Sequence, residues 1–231
     1  MNQDEFSTLA RIPSRIIFPQ EGVLRARKVI LRSNHGHVYK FPSTKNNRHM
    51  HLEYSLERDR AQLLEVDPYV KWYKEQPFRI EYEDEGKEKK MFPDFLVARI
   101  DDSLTVEEIK PYDKANDPDI KRRFAIEKKL LEQDGYLFEV HTEKEIRGGF
   151  KLENAKKLLP LRTIIVNPLL KADVRDLLME NTLTGTEIID SIPDLSEKML
   201  LAMLAKGQVF AALTEPPVSY THLTLPTIYS V

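Results

Sequence analysis

The sequence predicts a mixed α/β domain reaching about residue 145, followed by a small domain of short helices and a hairpin, the winged-helix pattern. Three observations carry this reading. Apolar periodicity alternates between helical and strand spacing up to residue 145, in the order helix, antiparallel strands, helix, strand. After Arg147-Gly148-Gly149-Phe150 the texture changes to three short helical stretches and one apolar strand. The 231 residues, 41% of them hydrophobic, suffice for one large or two small domains with real cores.

Taken in order, residues 1–34 lack sustained periodicity and read as a basic arm. The stretch "HVYKFPSTKNNRHMHLEYS" places turn residues Pro42-Ser43 and Asn46-Asn47 between two short extended segments. A helix is predicted from about Ser55 to Val66: Leu56, Leu63 and Leu64 recur at helical spacing, and Asp67-Pro68 closes it. "VKWYKEQPFRIEYED" reads as extended chain leading into a charged hairpin at Glu83–Lys90. Two strands follow, about 92–100 and 104–110, joined at Asp101-Asp102-Ser103. "DPDIKRRFAIEKKLLEQDG" is an amphipathic helix begun by Asp117-Pro118 and ended by Gly135, and "YLFEVHT" is the final strand.

Beyond residue 147, "NPLLKADVRDLLMEN", "TGTEIIDSI" and "DLSEKMLLAMLAKG" read as three helices. The third has a capping-box start at Asp194-x-x-Glu197 and a Gly207 stop, and "QVFAALTE" reads as the first strand of a wing. The last residues, "VSYTHLTLPTIYSV" from Val218, resemble the translation of a sequencing-library adapter. The expected organisation is therefore an arm at 1–34, a mixed α/β domain at 35–146, a truncated winged-helix-like domain at 147–217, and an adapter-derived tail at 218–231.

Composition excludes several classes. With no cysteine there is no disulfide framework and no thiolate zinc site, which fits a reducing cytoplasm. No apolar run approaches the roughly 18–20 residues of a membrane span. The net charge of −2 hides an asymmetry: residues 1–51 hold nine Lys or Arg against three Asp or Glu, as suits an arm that meets nucleic acid. Arg25, Arg27, Lys28, Arg32, Lys40, Lys45 and Arg48 are the candidate phosphate contacts. Four of the six histidines, His35, His37, His49 and His51, crowd into seventeen positions. Without cysteine or an H-E-x-x-H pattern they read as polar strand residues and not as zinc ligands.

The chemistry lies in "FPDFLVARIDDSLTVEEIKP". If the turn centres on Asp101-Asp102, residues whose numbers sum to about 202 lie opposite each other, and Asp94 and Glu108 are such a pair. Opposed residues share a sheet face with Cβ atoms roughly 4.5–5.5 Å apart. Lys110 shares that face, because strand side chains repeat every two residues. A solvated hairpin bearing Asp, Glu and Lys would show the same spacing. Phe92, Phe95, Leu96, Val97, Val106 and Ile109 instead make both strands read as buried, where unpaired charges are costly. Two facing carboxylates repel unless a cation lies between them, and a hard divalent ion, Mg²⁺ or Mn²⁺, suits oxygen ligands. Lys110 could then orient the attacking water and stabilise charge on a phosphate oxygen.

These residues, "FPDF…EEIKP", resemble the signature of the PD-(D/E)XK nuclease superfamily. With "FPSTKNNRHMHLEYSLERD" upstream and "EQPFRIEY" between, the chain is similar to the TnsA-like transposon endonucleases over about residues 20–145. The resemblance implies a restriction-endonuclease-like α/β fold with a mixed sheet. It implies Asp94, Glu108, Lys110 and the helical acid Glu57 as catalytic residues, with Glu53 the rival for Glu57, and Asp94, Glu108, Glu57 and Ile109 on the metal. It also implies cleavage of the 5′ strand of double-stranded DNA at transposon ends, with a TnsB-like DDE transposase and a TnsC-like AAA+ ATPase as partners, in a prokaryotic cytoplasm. A stand-alone restriction-like or junction-resolving nuclease and a non-catalytic adaptor are the other readings. Intact Asp94, Glu108 and Lys110 argue against the adaptor. The charge of the C-terminal segment points away from DNA: residues 169–215 carry four basic and eight acidic residues, so this domain reads as a protein-docking module.

Overall fold

A computed structural model describes residues 14–27, 38–214 and 222–224. Its first described element is the short β1 (Ser14–Ile17), followed by the hairpin β2 (Tyr39–Ser43) and β3 (Arg48–Leu52) and by helix α1 (Ser55–Val66). Five strands come next: β4 (Val70–Glu75), β5 (Arg79–Asp84), β6 (Lys87–Met91), β7 (Phe95–Arg99) and β8 (Leu104–Ile109). The short α2 (Tyr112–Ala115), the long α3 (Pro118–Gln133) and β9 (Leu137–His141) complete the mixed α/β part. The central sheet has the order β4-β7-β8-β9, antiparallel except for the parallel β8–β9 pair that α3 bridges.

The turn at Asp101-Asp102 sets the register as the sequence implies. Phe95 faces Glu107, Leu96 faces Val106, Val97 faces Thr105 and Ala98 faces Leu104, each pair summing to 202. Asp102 takes a positive φ of 66° in that turn, a conformation Asp tolerates better than most residues. Asp94 itself stands one residue before β7 and outside the ladder. Pro93, with no N–H to give, delays the start of pairing.

Side chains alternate between two cores. Phe95, Val97 and Ile109 pack with Leu56, Ala61 and Leu64 of α1 and with Met50 and Leu52 of β3. Leu96, Val106 and Phe138 pack on the other face with Phe124, Leu130 and Leu131 of α3. Helix α3 starts where Asp117 accepts hydrogen bonds from the amides of Asp119 and Ile120, with Pro118 in its first turn.

The segment expected as a free arm is partly built into the fold. β1 pairs antiparallel with β5, Ser14 facing Tyr82 and Ile17 facing Arg79, in a second sheet of order β1-β5-β6. Four residues of strand were too short a signal to read.

Beyond β9 come α4 (Glu143–Arg147), α5 (Lys151–Leu158) and a 3-10 turn at Leu159–Thr163. Then follow α6 (Pro168–Met179), β10 (Leu183–Thr184), α7 (Gly185–Ser191), α8 (Glu197–Ala205), β11 (Phe210–Ala211) and β12 (His222–Thr224). The three short strands form a sheet of order β10-β12-β11. Their core, with Val174, Ile188, Leu200 and Met203, also takes in Val66 from the end of α1. Helix α8 is capped by Ser196, whose hydroxyl accepts from the Met199 amide at 3.3 Å, and not by Asp194, which sits at φ 66° in the preceding turn. Gly207 ends α8 at φ +68°, and a Cβ there would meet Pro68 at 3.2 Å. Leu223 of β12 is buried in this core. Among the described residues no helix is long and apolar enough to cross a membrane.

Candidate active site

The acidic residues gather where β7 begins and β8 ends. Asp94 Oδ2 accepts a 2.7 Å hydrogen bond from the Ile109 amide, fixing the carboxylate that precedes β7 onto the end of β8. Ile109 turns its side chain into the α1-side core, so only its backbone faces the carboxylates. Glu108 is the penultimate residue of β8, and Lys110 is the first residue after the strand, with Nζ 2.8 Å from Glu108 Oε1. Glu57 enters from the first turn of α1, and its Oε2 accepts the Glu53 amide at 2.8 Å. Glu53, the rival acid, precedes the helix, whose N-cap is the extended Tyr54. Its carboxylate is taken by Arg27 at 2.5 Å and by Gln76 Nε2 at 3.1 Å.

Electrostatics tie Glu57, Asp94, Glu108 and Lys110 together. Burial raises the Asp94 carboxyl well above the usual carboxylate range; the charges of Glu108 and Glu57 add to this, while Lys110 and the Ile109 amide oppose it. Burial likewise lifts Glu57 to about 7, against the Glu53 amide and with the charge of Glu53. Burial works to lower the Lys110 ammonium, but Glu108 and Asp94 outweigh it and hold it above its ordinary value. Glu108 Oε2 is buried with no hydrogen-bond partner among the described residues. An orphaned carboxylate oxygen beside carboxyls that resist ionising together is the donor set a hard divalent cation satisfies.

Two further layers flank the site, and the sequence reading missed both. From α3, Arg123 lies 3.5 Å from Glu108 Oε1 and 3.2 Å from Glu127 Oε1. Glu127 is buried, and burial pushes it up to about 8 against the charge of Arg123. From α1, Arg60 makes a bidentate pair with Glu107, at 2.8 and 2.6 Å. Glu107, Glu139 and His141 bring their ligand atoms within 4.8 Å of one another, the grouping of three or more such residues found among those described. Arg60 already holds both oxygens of Glu107 there. Although burial opposes ionisation, the Arg60 guanidinium keeps Glu107 down at about 2. The adjacent "EE" of strand β8 was the available signal: one carboxylate must point to each face of the sheet.

The basic residues of the N-terminal third divide into two groups. Lys45 is not free for phosphate: its ammonium donates to the backbone carbonyls of Asp67 and Val70, and burial lowers it to about 8. Arg48 is held by Glu75 at 2.8 and 2.5 Å, and Arg27 by Glu53. Lys40 is exposed, and Arg25 lies 3.4 Å from the His51 ring. Lys28 and Arg32 lie outside the described residues.

With the site in place, the comparison with known families is informative. Residues 67–143 match the family model described as TnsA-like endonuclease N terminal. This part of the chain is similar to the TnsA-like endonucleases. The match spans Asp94, Glu108 and Lys110, while Glu57 falls before it. The TnsA-like description points to a nuclease role in transposition, and the mixed α/β fold agrees with a nuclease-like architecture. No curated protein matches the chain.

Proposed function

We propose that the chain is a Mg²⁺-dependent DNA endonuclease, with Mn²⁺ an alternative ion, that cuts the 5′ strand at transposon ends together with a DDE transposase. The observation that carries this reading is the convergence of Glu57, Asp94 and Glu108 beside Lys110 within a TnsA-like segment. Asp94, Glu108 and Glu57, with the Ile109 backbone, would hold the ion, which when bound supplies Lewis acidity and a more acidic water. Lys110, held protonated by Glu108 and Asp94, serves as a donor to a phosphate oxygen and to the attacking water, not as a base.

The remaining parts fit a transposition complex in a prokaryotic cytoplasm. The order α6-β10-α7-α8-β11-β12 with sheet order β10-β12-β11 supports reading the segment from residue 147 as winged-helix-like. Its excess of acidic residues suits docking to a TnsC-like AAA+ ATPase or the transposase, not to a duplex. Double-stranded DNA would be met instead by Lys40, Arg25 and the basic residues between 28 and 32.

The test is a strand-labelled transposon-end duplex incubated with the chain, its transposase and Mg²⁺. The reading expects a nick on the 5′ strand only when transposase is present. Equal cutting of plain duplex without transposase points to a stand-alone nuclease, and no cutting with any divalent ion rejects the proposal.

A further inference from the structure

We propose that Arg60 and Glu107 are positioning residues that set the spacing of the metal ligands. The inference rests on the metal-site reading above. Arg60 is three residues after Glu57 on α1, and Glu107 is one residue before Glu108 on β8. Two of the site's three acids, Glu57 and Glu108, therefore sit on separate elements, and this ion pair ties those elements together. The pair is bidentate, with Nε to Oε2 at 2.8 Å and Nη2 to Oε1 at 2.6 Å. Glu107 is 0% exposed, so both oxygens are committed and the fork cannot slide.

Apolar packing of Leu56, Ala61 and Leu64 against Phe95 and Val97 also holds α1 to the sheet, but such contacts tolerate small shifts along the helix axis. A fork of two parallel hydrogen bonds does not. Because Glu107 and Glu108 point to opposite faces, the brace works from behind the site without touching the ion or the DNA. His141 Nε2, at 3.6 Å from Glu107 Oε1 and 3.1 Å from Glu139 Oε2, is the looser neighbour in this layer. With Arg60 seated on Glu107, the Glu107–Glu139–His141 group is an ion-pair brace and not a second metal centre.

Removing Arg60 alone would strand a buried carboxylate and endanger folding. The informative variant is Arg60→Met combined with Glu107→Leu, which exchanges the pair for apolar volume and is expected to keep the metal-free melting temperature at or above that of the parent. Binding of Mn²⁺ to the full chain, measured by calorimetry, should weaken by about 10–100-fold, the usual cost of losing an outer partner of a metal ligand. Cleavage at limiting metal should fall and recover as metal is raised, with KM for DNA unchanged. Arg60→Lys, which keeps the charge but not the fork, should fall between the two. Unchanged Mn²⁺ affinity in a well-folded double variant overturns the inference. Loss of Mn²⁺ binding in Glu139→Gln, with binding retained in Asp94→Asn, overturns it too, by assigning the ion to the rear cluster. Failure of the metal-site reading shows itself separately, as Asp94→Asn binding Mn²⁺ like the parent.

Discussion

Lys110 Nζ sits 2.8 Å from Glu108 Oε1, an ion pair formed by residues two apart at the end of β8. Two cations share that oxygen, since Arg123 approaches it at 3.5 Å. Glu108 is therefore anchored through one oxygen while Oε2 stays without a partner among the described residues. One oxygen is fixed, and the other is the one the proposed ion would take.

Lys110→Ala should lower the nicking rate by about 10²–10⁴-fold, the range for a positioned proton donor. Metal binding should survive, because the lysine contributes no oxygen ligand. Calorimetry with Mn²⁺ beside single-turnover nicking checks both halves; loss of metal binding would make Lys110 part of the metal shell's support.

Glu127 gives the metal-free protein a pH signature. Its folded value of about 8 lies above the ordinary value of 4.5, so the folded state holds a proton that the unfolded chain releases. Stability from this group is present below about pH 4.5 and is lost as pH rises towards 8. Glu57, raised to about 7, acts in the same direction over a narrower window. Glu127→Gln should flatten the fall in urea stability between pH 5 and 8 by on the order of 1–3 kcal/mol. A slope equal to the parent's would show that Glu127 ionises freely in the fold.

One buried carboxylate links the two halves of the chain, besides their shared apolar packing. Glu65 accepts from Ser43 Oγ at 2.8 Å, from the Thr44 amide and hydroxyl at 2.7 Å, and from Tyr73 OH at 2.6 Å, and it pairs with Arg162. Arg162→Ala should cost about 3 kcal/mol in denaturant unfolding, and Glu65→Ala more, since it strands all the donors at once. A cost below 1 kcal/mol for Glu65→Ala would mean that solvent reaches the pair.

These pairings mark the limit of what the sequence discloses. α1 and α3 were legible because their caps and apolar repeats are local, and the β7–β8 register because a tight turn fixes it. Arg60–Glu107 and Arg162–Glu65 join residues 47 and 97 positions apart, and a sequence shows the charges without their partners. The same blindness misjudged Lys45 and Arg48: a basic stretch looks solvated until the fold supplies carbonyls and Glu75 to receive it. The spacing of Asp94 to Glu108 placed it beside the end of β8, although it stands one residue before β7.

The divided basic residues yield a contrast. Lys40→Ala with Arg25→Ala should weaken duplex binding uniformly across sequences and flatten its dependence on salt. Lys45→Ala should lower the melting temperature and leave that slope unchanged. If Lys45→Ala flattens the slope in a chain of undiminished stability, its ammonium meets phosphate after all.

The most direct test of the metal site is single-turnover nicking of a transposon-end duplex, with transposase and Mg²⁺, by Asp94→Ala, Glu108→Ala, Glu57→Ala and Glu53→Ala. Cleavage should vanish in the first two, with the metal-free melting temperature held or raised by relief of like charge. It should fall further in Glu57→Ala than in Glu53→Ala, whose carboxylate is spent on Arg27 and Gln76. Undiminished cleavage by Asp94→Ala and Glu108→Ala would contradict the assignment.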